Sequence, residues 1–252
     1  MSATPAKHRP VPRVEVHASA DELATAVAGA FLRLATVRQA SGSVPQVALT
    51  GGTIADKIHR EIARLGPASD VDWTRVEFFW GDERFVAADS DERNARQARE
   101  AFLDTVGVDP ARVHEVPSTS EAASVDEAAA AYAETVRSIG AGAFDLLMLG
   151  VGPDGHVASL FPGFPQLRVD DAIAVGVTGS PKPPPERVTL TYPALNRSET
   201  VWFVVSGADK AAAVGRALAA QPPTIEEIPA TGVEGRVETI WFLDRDAASQ
   251  VT

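Results

Sequence analysis

The stretch QVALTGGTIADKIHREIARLG, residues 46–66, decides the fold of this chain. It begins with a short apolar run, and the turn residues GGT follow directly. Beyond the turn, Ile54, Ile58 and Ile62 recur at the spacing of one helical face, which predicts an amphipathic helix. The stretch therefore predicts a strand–turn–helix unit, the building block of α/β folds.

The same unit recurs along the chain. Apolar runs at 75–80, 144–149 and 201–207 each lead into a turn that contains Gly or Asp. Ser19 and Ser124 are each followed three residues later by Glu, which is the spacing of a capping box at a helix start. Strands that are apolar on both faces and alternate with helices predict an open, mostly parallel sheet with helices on both faces.

Composition limits the classes of function. The chain has 252 residues, no cysteine and a net charge of −11, which excludes disulfides and cysteine chemistry and disfavours nucleic acid or an anionic membrane as partner. No apolar run is long enough to span a bilayer, and the first residues contain no signal-peptide core. We expect a cytoplasmic protein, a monomer or small homo-oligomer, with a flexible tail over residues 1–12 and a single domain over residues 13–252.

Four of the predicted strands end in polar sequence. They run into TGGT (50–53), GDER (81–84), GVGPDGH (150–156) and SGADK (206–210). In open α/β sheets, ligands bind in the crevice beyond the carboxyl ends of the strands. The sequence therefore predicts that these four segments meet at one ligand site.

The glycines of the third segment have two possible explanations. Gly150, Gly152 and Gly155 match the GxGxxG pattern of dinucleotide-binding proteins, but the prolines in FPGFP (161–165) leave no room for the long helix that such a site requires. We therefore do not expect a dinucleotide cofactor. The glycines allow a sharp turn whose free N–H groups approach a negatively charged ligand.

Among the histidines, His156 is the candidate for chemistry. It is either a structural residue or a proton-transfer residue, and its place at the lip of the glycine turn favours the second. His59 is expected on the polar side of its helix, and His17 and His114 are expected to be exposed. No GxSxG nucleophile elbow and no HExxH zinc motif occurs, so neither a catalytic serine nor a metal is predicted.

The other segments offer groups that bind anions. TGGT before a helix is either a plain turn or a phosphate cradle in which Thr53 supplies a hydroxyl. The charges of GDER are expected to face a wet crevice, where Arg84 is a candidate phosphate ligand and Asp82 either hydrogen-bonds sugar hydroxyls or holds a cation in place. Arg187 and Lys210 lie beside apolar strands and are further candidate cations. The residues together predict a small phosphate-bearing ligand with His156 as acid or base.

Three segments carry a family resemblance. GPDGHVASLFPG resembles the signature of the 6-phosphogluconolactonases and departs from its usual form only at Val157. WGDERFVAADSDERN and RVTLTYPALNRSETVWFVVSGADKA resemble two further segments of that family, in the same order. GGT replaces the commoner GGS, and Ile54 and Ala55 replace the usual Thr-Pro. The resemblance covers roughly residues 46–215.

This resemblance implies both a fold and an activity. The fold is Rossmann-like, of the glucosamine-6-phosphate deaminase type. The activity is hydrolysis of 6-phospho-D-glucono-1,5-lactone to 6-phospho-D-gluconate in the oxidative pentose phosphate pathway, with no cofactor and no metal. Two alternatives stay open: aldose–ketose chemistry like that of glucosamine-6-phosphate deaminase, and a non-catalytic sugar-phosphate sensor. The deaminases usually continue their DGH loop towards Asn-Glu-Pro, which this chain lacks.

The residues and the resemblance together predict the roles of individual residues, and the phosphate ligands among them come from the resemblance. His156 is the general base that activates water, and Asp154 is its candidate orienting partner. The phosphate ligands and the other substrate-binding residues are predicted to be Gly51, Gly52, Thr53, Arg84, Arg187 and Lys210, together with Asp82, Gly152 and Gly155.

Overall fold

The computed structural model describes residues 11–140 and 143–251. Its strands are β1 (Arg13–His17), β2 (Gln46–Leu49), β3 (Glu77–Trp80), β4 (Asp82–Arg84), β5 (Leu146–Leu149), β6 (Ala174–Val177), β7 (Arg187–Leu190), β8 (Thr200–Val205) and β9 (Glu238–Asp244). Six of them form a parallel sheet in the order β1-β9-β8-β5-β2-β3. The other three form a small antiparallel sheet in the order β4-β7-β6.

The helices cover both faces of the parallel sheet. They are α1 (Ala20–Ala40), α2 (Thr53–Leu65), α3 (Asn94–Ala98), α4 (Asp104–Val106), α5 (Val125–Gly140), α6 (Tyr192–Leu195) and α7 (Ala211–Ala217), and a π-helical turn, Arg99–Leu103, joins α3 to α4. Helices α1, α2 and α3 share one apolar core with the sheet, and α5, α6 and α7 share the other. The predicted open α/β sheet with helices on both faces is confirmed.

Both predicted capping serines begin helices. The hydroxyl of Ser19 accepts a hydrogen bond from the N–H of Glu22 at 3.2 Å, and that of Ser124 accepts one from the N–H of Glu127 at 3.2 Å. These bonds satisfy N–H groups that have no partner within the first turn of a helix. The predicted starts of α1 and α5 are therefore confirmed.

The strand order creates a crevice between β2 and β5. From β2 the chain moves outward to β3, and it returns to place β5 on the opposite side of β2. Because the connections leave in opposite directions, the loops after β2 and β5 diverge at the carboxyl edge and leave room for a ligand. The strands that carry the four polar segments, β8, β5, β2 and β3, are neighbours in the sheet.

His59 corrects an expectation from the sequence. It is buried, with 3 % of its surface exposed, and its ring lies 4.9 Å from that of Phe102. Phe102 belongs to the π-helical turn, which covers the side of α2 that the sequence pattern assigns to solvent. Burial lowers the pKa of His59 to about 4, and the nearby charge of Asp56 opposes this only in part. At neutral pH His59 is therefore an uncharged core residue.

Other features lie outside the sequence predictions. The sequence pattern did not predict β1 as an edge strand or the antiparallel sheet in which β4 takes part. Residues 1–10 of the predicted tail lie outside the described residues, and the single domain over 13–252 stays a prediction. In the described ranges, no helix has the length and apolar character needed to cross a membrane.

Candidate active site

A cavity of about 190 Å³ opens at the carboxyl ends of β2, β3 and β5. Eight of the predicted site residues line it: Gly51, Gly52, Asp82, Arg84, Gly152, His156, Arg187 and Lys210. A second cavity of about 460 Å³ adjoins it and shares its glycine loops and Lys210. Thr53 lines this second cavity. The four polar segments therefore meet at one place, as the strand ends predict.

His156 is paired with Asp154. The imidazole Nδ1 lies 2.5 Å from Asp154 Oδ1, and the ring packs against Phe161. Burial works to raise the pKa of Asp154, but the hydrogen bond and the charge of His156 outweigh it and hold that pKa at about 2. A carboxylate at Nδ1 requires the proton on that nitrogen, which leaves Nε2 as the basic atom. The pair therefore has the arrangement of an oriented general base.

Gly152 makes room for this pair. A Cβ atom on Gly152 would lie 2.0 Å from His156 Nδ1 and 2.5 Å from Asp154 Oδ1. The N–H of Gly152 donates to the carbonyl of His156 at 2.9 Å and so closes the loop. Gly155, in contrast, is not among the residues that line the cavity. It turns the backbone at φ 82° and lies against Ile228, where a Cβ would come within 2.6 Å of the Ile228 side chain.

Replacing Gly152 by alanine is expected to lower kcat by about 100-fold. The methyl group must displace the imidazole or the carboxylate, and a misplacement of about 1 Å costs on that order in rate. Steady-state kinetics measure the effect. Gly150→Ala is the matched variant, because its Cβ would meet only Thr50 Oγ1, at 3.9 Å. Equal losses in the two variants would contradict the steric explanation.

Glu83 organises the segment that presents Arg84. It is fully buried, and its carboxylate accepts hydrogen bonds from the N–H groups of Arg84 at 2.8 Å, Asn94 at 2.7 Å and Ala95 at 2.8 Å. Asn94 and Ala95 begin α3, which lacks a side-chain cap from Arg93. Glu83 therefore caps α3 from a neighbouring strand. The expectation that all the GDER charges face a wet crevice is wrong for this residue.

Arg84 and Asp82 have different surroundings. Arg84 faces the cavity and donates to the carbonyl of Glu92 at 2.9 Å and to the side chain of Asn94. Asp82 is 7 % exposed and accepts a hydrogen bond from Ser159 Oγ at 2.7 Å, with Arg187 Nη1 at 3.9 Å. Asp82 therefore lines the cavity, while its carboxylate Oδ2 is also held by Ser159 and lies near Arg187.

The glycines after β2 open the start of α2 towards the ligand. Gly52 precedes the helix at φ 101°, and no side chain caps the first turn. A Cβ on Gly51 would lie 1.8 Å from Asn94 Oδ1, so only glycine allows this approach of the two loops. N–H groups at the start of a helix attract anions. That TGGT forms a phosphate cradle stays a prediction, and this geometry supports it.

Sequence reasoning missed Lys182 and Asn94, which also line the cavity. Lys182 lies in a proline-rich segment that resembles an ordinary surface loop, and Asn94 lies well beyond the strand that it contacts. A signal for Asn94 existed, because it ends the WGDERFVAADSDERN segment. Through residues 11–140 and 143–251, no group of three or more His, Asp and Glu side chains is arranged to hold a metal ion.

An open α/β sheet with an oriented histidine and several cations at its switch point defines a protein that acts on a small anion. The family model described as glucosamine-6-phosphate isomerases/6-phosphogluconolactonase matches residues 18–241, and the chain belongs to this family. It is 41 % identical over 249 residues to the 6-phosphogluconolactonase of Streptomyces coelicolor, with 95 % of each chain covered.

Solved structures agree with this family. The 6-phosphogluconolactonase from Trypanosoma brucei superposes with a TM-score of 0.81 at 26 % identity, over 96 % of this chain and 99 % of that one. A monomeric glucosamine-6-phosphate deaminase superposes with a TM-score of 0.80 at 20 % identity, over 94 % of this chain and 99 % of that one. At this identity the likeness to the deaminase concerns the fold alone.

Proposed function

We propose that the chain hydrolyses 6-phospho-D-glucono-1,5-lactone to 6-phospho-D-gluconate in the oxidative pentose phosphate pathway, with His156 as general base. Family membership and the 41 % identity to a 6-phosphogluconolactonase support the reaction. The observation that supports the base is that His156 lies on the wall of a cation-lined cavity and is hydrogen-bonded to Asp154. An activated ester such as a lactone needs one positioned base and no covalent nucleophile.

In the mechanism, His156 Nε2 takes a proton from water as the oxygen attacks C1 of the lactone. The tetrahedral oxyanion is met by N–H groups of the glycine loops or by an arginine. As the C1–ring oxygen bond breaks, His156 returns the proton to the departing ring oxygen. The products are the 5-hydroxyl and the carboxyl group of 6-phosphogluconate. Asp154 keeps the imidazole in the tautomer that this sequence requires.

The phosphate is a remote handle that holds the ring for attack. We assign it to the cations of the cavity and to the start of α2, whose N–H groups have no side-chain cap. The proposed partner is a small-molecule phosphosugar lactone, and the net charge of −11 disfavours nucleic acid as a partner. The cytoplasm as location, a metal-independent reaction and a monomer or small homo-oligomer stay predictions.

The wild-type protein is expected to hydrolyse freshly generated 6-phosphogluconolactone with a kcat/KM at least about 100-fold above that for gluconolactone without phosphate. We expect this difference of about 100-fold because gluconolactone lacks the phosphate and so loses one or more charge-assisted contacts. Acid release is measured at fixed pH, with the spontaneous opening of each lactone subtracted. Turnover of glucosamine 6-phosphate instead would favour the deaminase alternative. Binding of 6-phosphogluconate without any turnover would favour the sensor.

A further inference from the structure

We infer that Lys182 is the cation that contacts the substrate phosphate together with Lys210, and that Arg187 acts by holding the Lys182 segment in place. This inference rests on the proposed function and names a residue and a division of labour within its site. It differs from the sequence prediction, in which Arg187 is itself a phosphate ligand. The two residues differ in what their charged groups already contact.

The guanidinium of Arg187 is occupied by protein groups. Arg187 is 5 % exposed, and its Nη2 donates to the carbonyls of Pro183 at 3.0 Å and Lys182 at 3.3 Å, while its Nε donates to that of Pro184 at 3.3 Å. Its Nη1 lies 3.9 Å from Asp82 Oδ2. Three of the five N–H groups of Arg187 are therefore bonded to backbone carbonyls of the Lys182 segment, and the remaining nitrogen, Nη1, faces the carboxylate of Asp82.

The Lys182 segment is fixed at its backbone. The carbonyl of Lys182 accepts from Arg187 Nη2 and also from Ser180 Oγ at 2.9 Å, and the N–H of Ser180 donates to the carbonyl of Pro185 at 3.0 Å. Four of the nine residues from 178 to 186 are prolines, which restricts the backbone further. The segment therefore holds one lysine side chain at the wall of the cavity.

The ammonium group of Lys182 has no hydrogen bond or ion pair within residues 11–140 and 143–251. The other lysine of the cavity, Lys210, is paired with Asp209, and Arg84 is bonded to Asn94. A cation that is partly removed from water and unpaired carries a cost that a bound anion removes. Lys182 is thus a cation of this wall whose charged group is not held by a protein partner within the described residues.

The charges around Lys182 indicate where a bound phosphate would lie. Desolvation lowers the pKa of Lys182, the negative charge of Asp154 opposes this, and the positive charges of Lys210 and Arg187 lower it further. Lys182 therefore lies within electrostatic range of both Asp154 and Lys210. A phosphate dianion between the two ammonium groups would relieve their repulsion, and a dianion is matched by two cations.

The test compares Lys182→Met with Lys182→Arg and with Arg168→Met. Arg168 has an exposed side chain, 78 % accessible, and its variant removes one positive charge outside the cavity. KM and kcat are measured for the phosphorylated lactone and for gluconolactone, and the Kd of 6-phosphogluconate is measured by calorimetry. We expect Lys182→Met to raise KM and Kd by about 10- to 100-fold and to change kcat by less than about 3-fold.

The other variants have their own expected results. Lys182→Arg retains most of the affinity, and Arg168→Met leaves KM and Kd unchanged. Lys182→Met lowers kcat/KM far less for gluconolactone, which has no phosphate, than for the phosphorylated lactone. Arg187→Lys raises KM in the wild-type background and has little further effect in the Lys182→Met background, because it acts through Lys182. Additive effects in this double-mutant cycle would overturn the role of Arg187.

The outcomes separate the inference from the proposed function. Equal losses for both lactones in Lys182→Met would place Lys182 at the reacting carbonyl and overturn the phosphate contact. An unchanged Kd and KM would overturn it as well. If the wild type hydrolyses neither lactone but binds 6-phosphogluconate, and Lys182→Met weakens that binding as expected, the proposed function fails and the inference about the anion site stands. Absence of both turnover and binding in the wild type would overturn both.

Discussion

His156→Ala is expected to lower kcat for 6-phosphogluconolactone by about 10²- to 10⁴-fold and to raise KM by less than about 3-fold, since general base catalysis contributes on that order in rate. The imidazole on the wall of the cavity is hydrogen-bonded to Asp154, and the cations proposed to bind phosphate lie elsewhere on that wall. The substitution removes the proposed proton acceptor and leaves the cations proposed to bind the phosphate in place. A kcat effect without a comparable KM effect is the signature of a transition-state role.

Asp154→Asn is the matched variant for this experiment. It preserves the shape of the loop but replaces an acceptor-only carboxylate with an amide, which no longer selects the Nδ1–H tautomer. We expect a loss of kcat smaller than that of His156→Ala and little further loss in the double variant. The melting temperatures of both variants show whether the fold is retained.

The pH profile adds an independent check. Because the pKa of Asp154 lies at about 2, this carboxylate stays ionised well below neutral pH. Protonation of Asp154 is therefore not expected to lower kcat/KM of the wild type near neutral pH, and rates of the wild type and His156→Ala measured across this range check it. Turnover that survives the substitution would keep the lactonase activity and discard His156 as its base.

The parallel sheet could be predicted from the sequence because the residues of each strand themselves show that the strand is buried. The runs that became β2, β3, β5 and β8 are apolar on both faces, and that composition alone predicts strands sandwiched between helices. The polar residues after them were also predictable as neighbours, because parallel strands bring their carboxyl ends to one edge. The resemblance supplied the substrate class, which no spacing rule supplies.

The sequence is uninformative where a partner far along the chain decides a residue's environment. His59 has the spacing of a solvated helix position, yet the π-helical turn carrying Phe102 covers it. Lys182 lies in a proline-rich loop whose position depends on Arg187. Glu83 sits in a charged segment typical of a wet surface, and its three N–H partners are visible only once β4 and α3 are packed together.

Glu83→Ala is expected to lower the free energy of unfolding by about 3–5 kcal/mol, which is the range for removing one partner from a buried charged network. The substitution leaves the N–H groups of Arg84, Asn94 and Ala95 without their acceptor in a fully buried place. It also releases Arg84 and Asn94 from their positions at the cavity. Urea unfolding measures the stability, and we expect kcat/KM of the folded fraction to fall at least about 10-fold, as charge-assisted substrate contacts are misplaced.

Glu83→Gln is the matched variant, because it keeps the shape and removes the titration. Burial raises the pKa of Glu83 to about 6, and the positive charge of Arg93 and the N–H donors oppose this only in part. Between the unfolded value of 4.5 and the folded value of about 6, the folded chain binds a proton that the unfolded chain does not. The part of the stability that depends on this proton is therefore fully present below pH 4.5 and is lost as the pH rises through about 6, a change of about 2 kcal/mol.

At pH 7.5, Glu83→Gln is expected to be about 1–3 kcal/mol less stable than the wild type, because the amide donates where the N–H of Ala95 requires an acceptor. At pH 4.5 that difference should widen by about 2 kcal/mol, since the amide takes up no proton. Urea unfolding of both proteins at the two pH values measures this. If the difference does not change with pH, the carboxyl group of Glu83 does not titrate in this window, and the three N–H donors outweigh its desolvation.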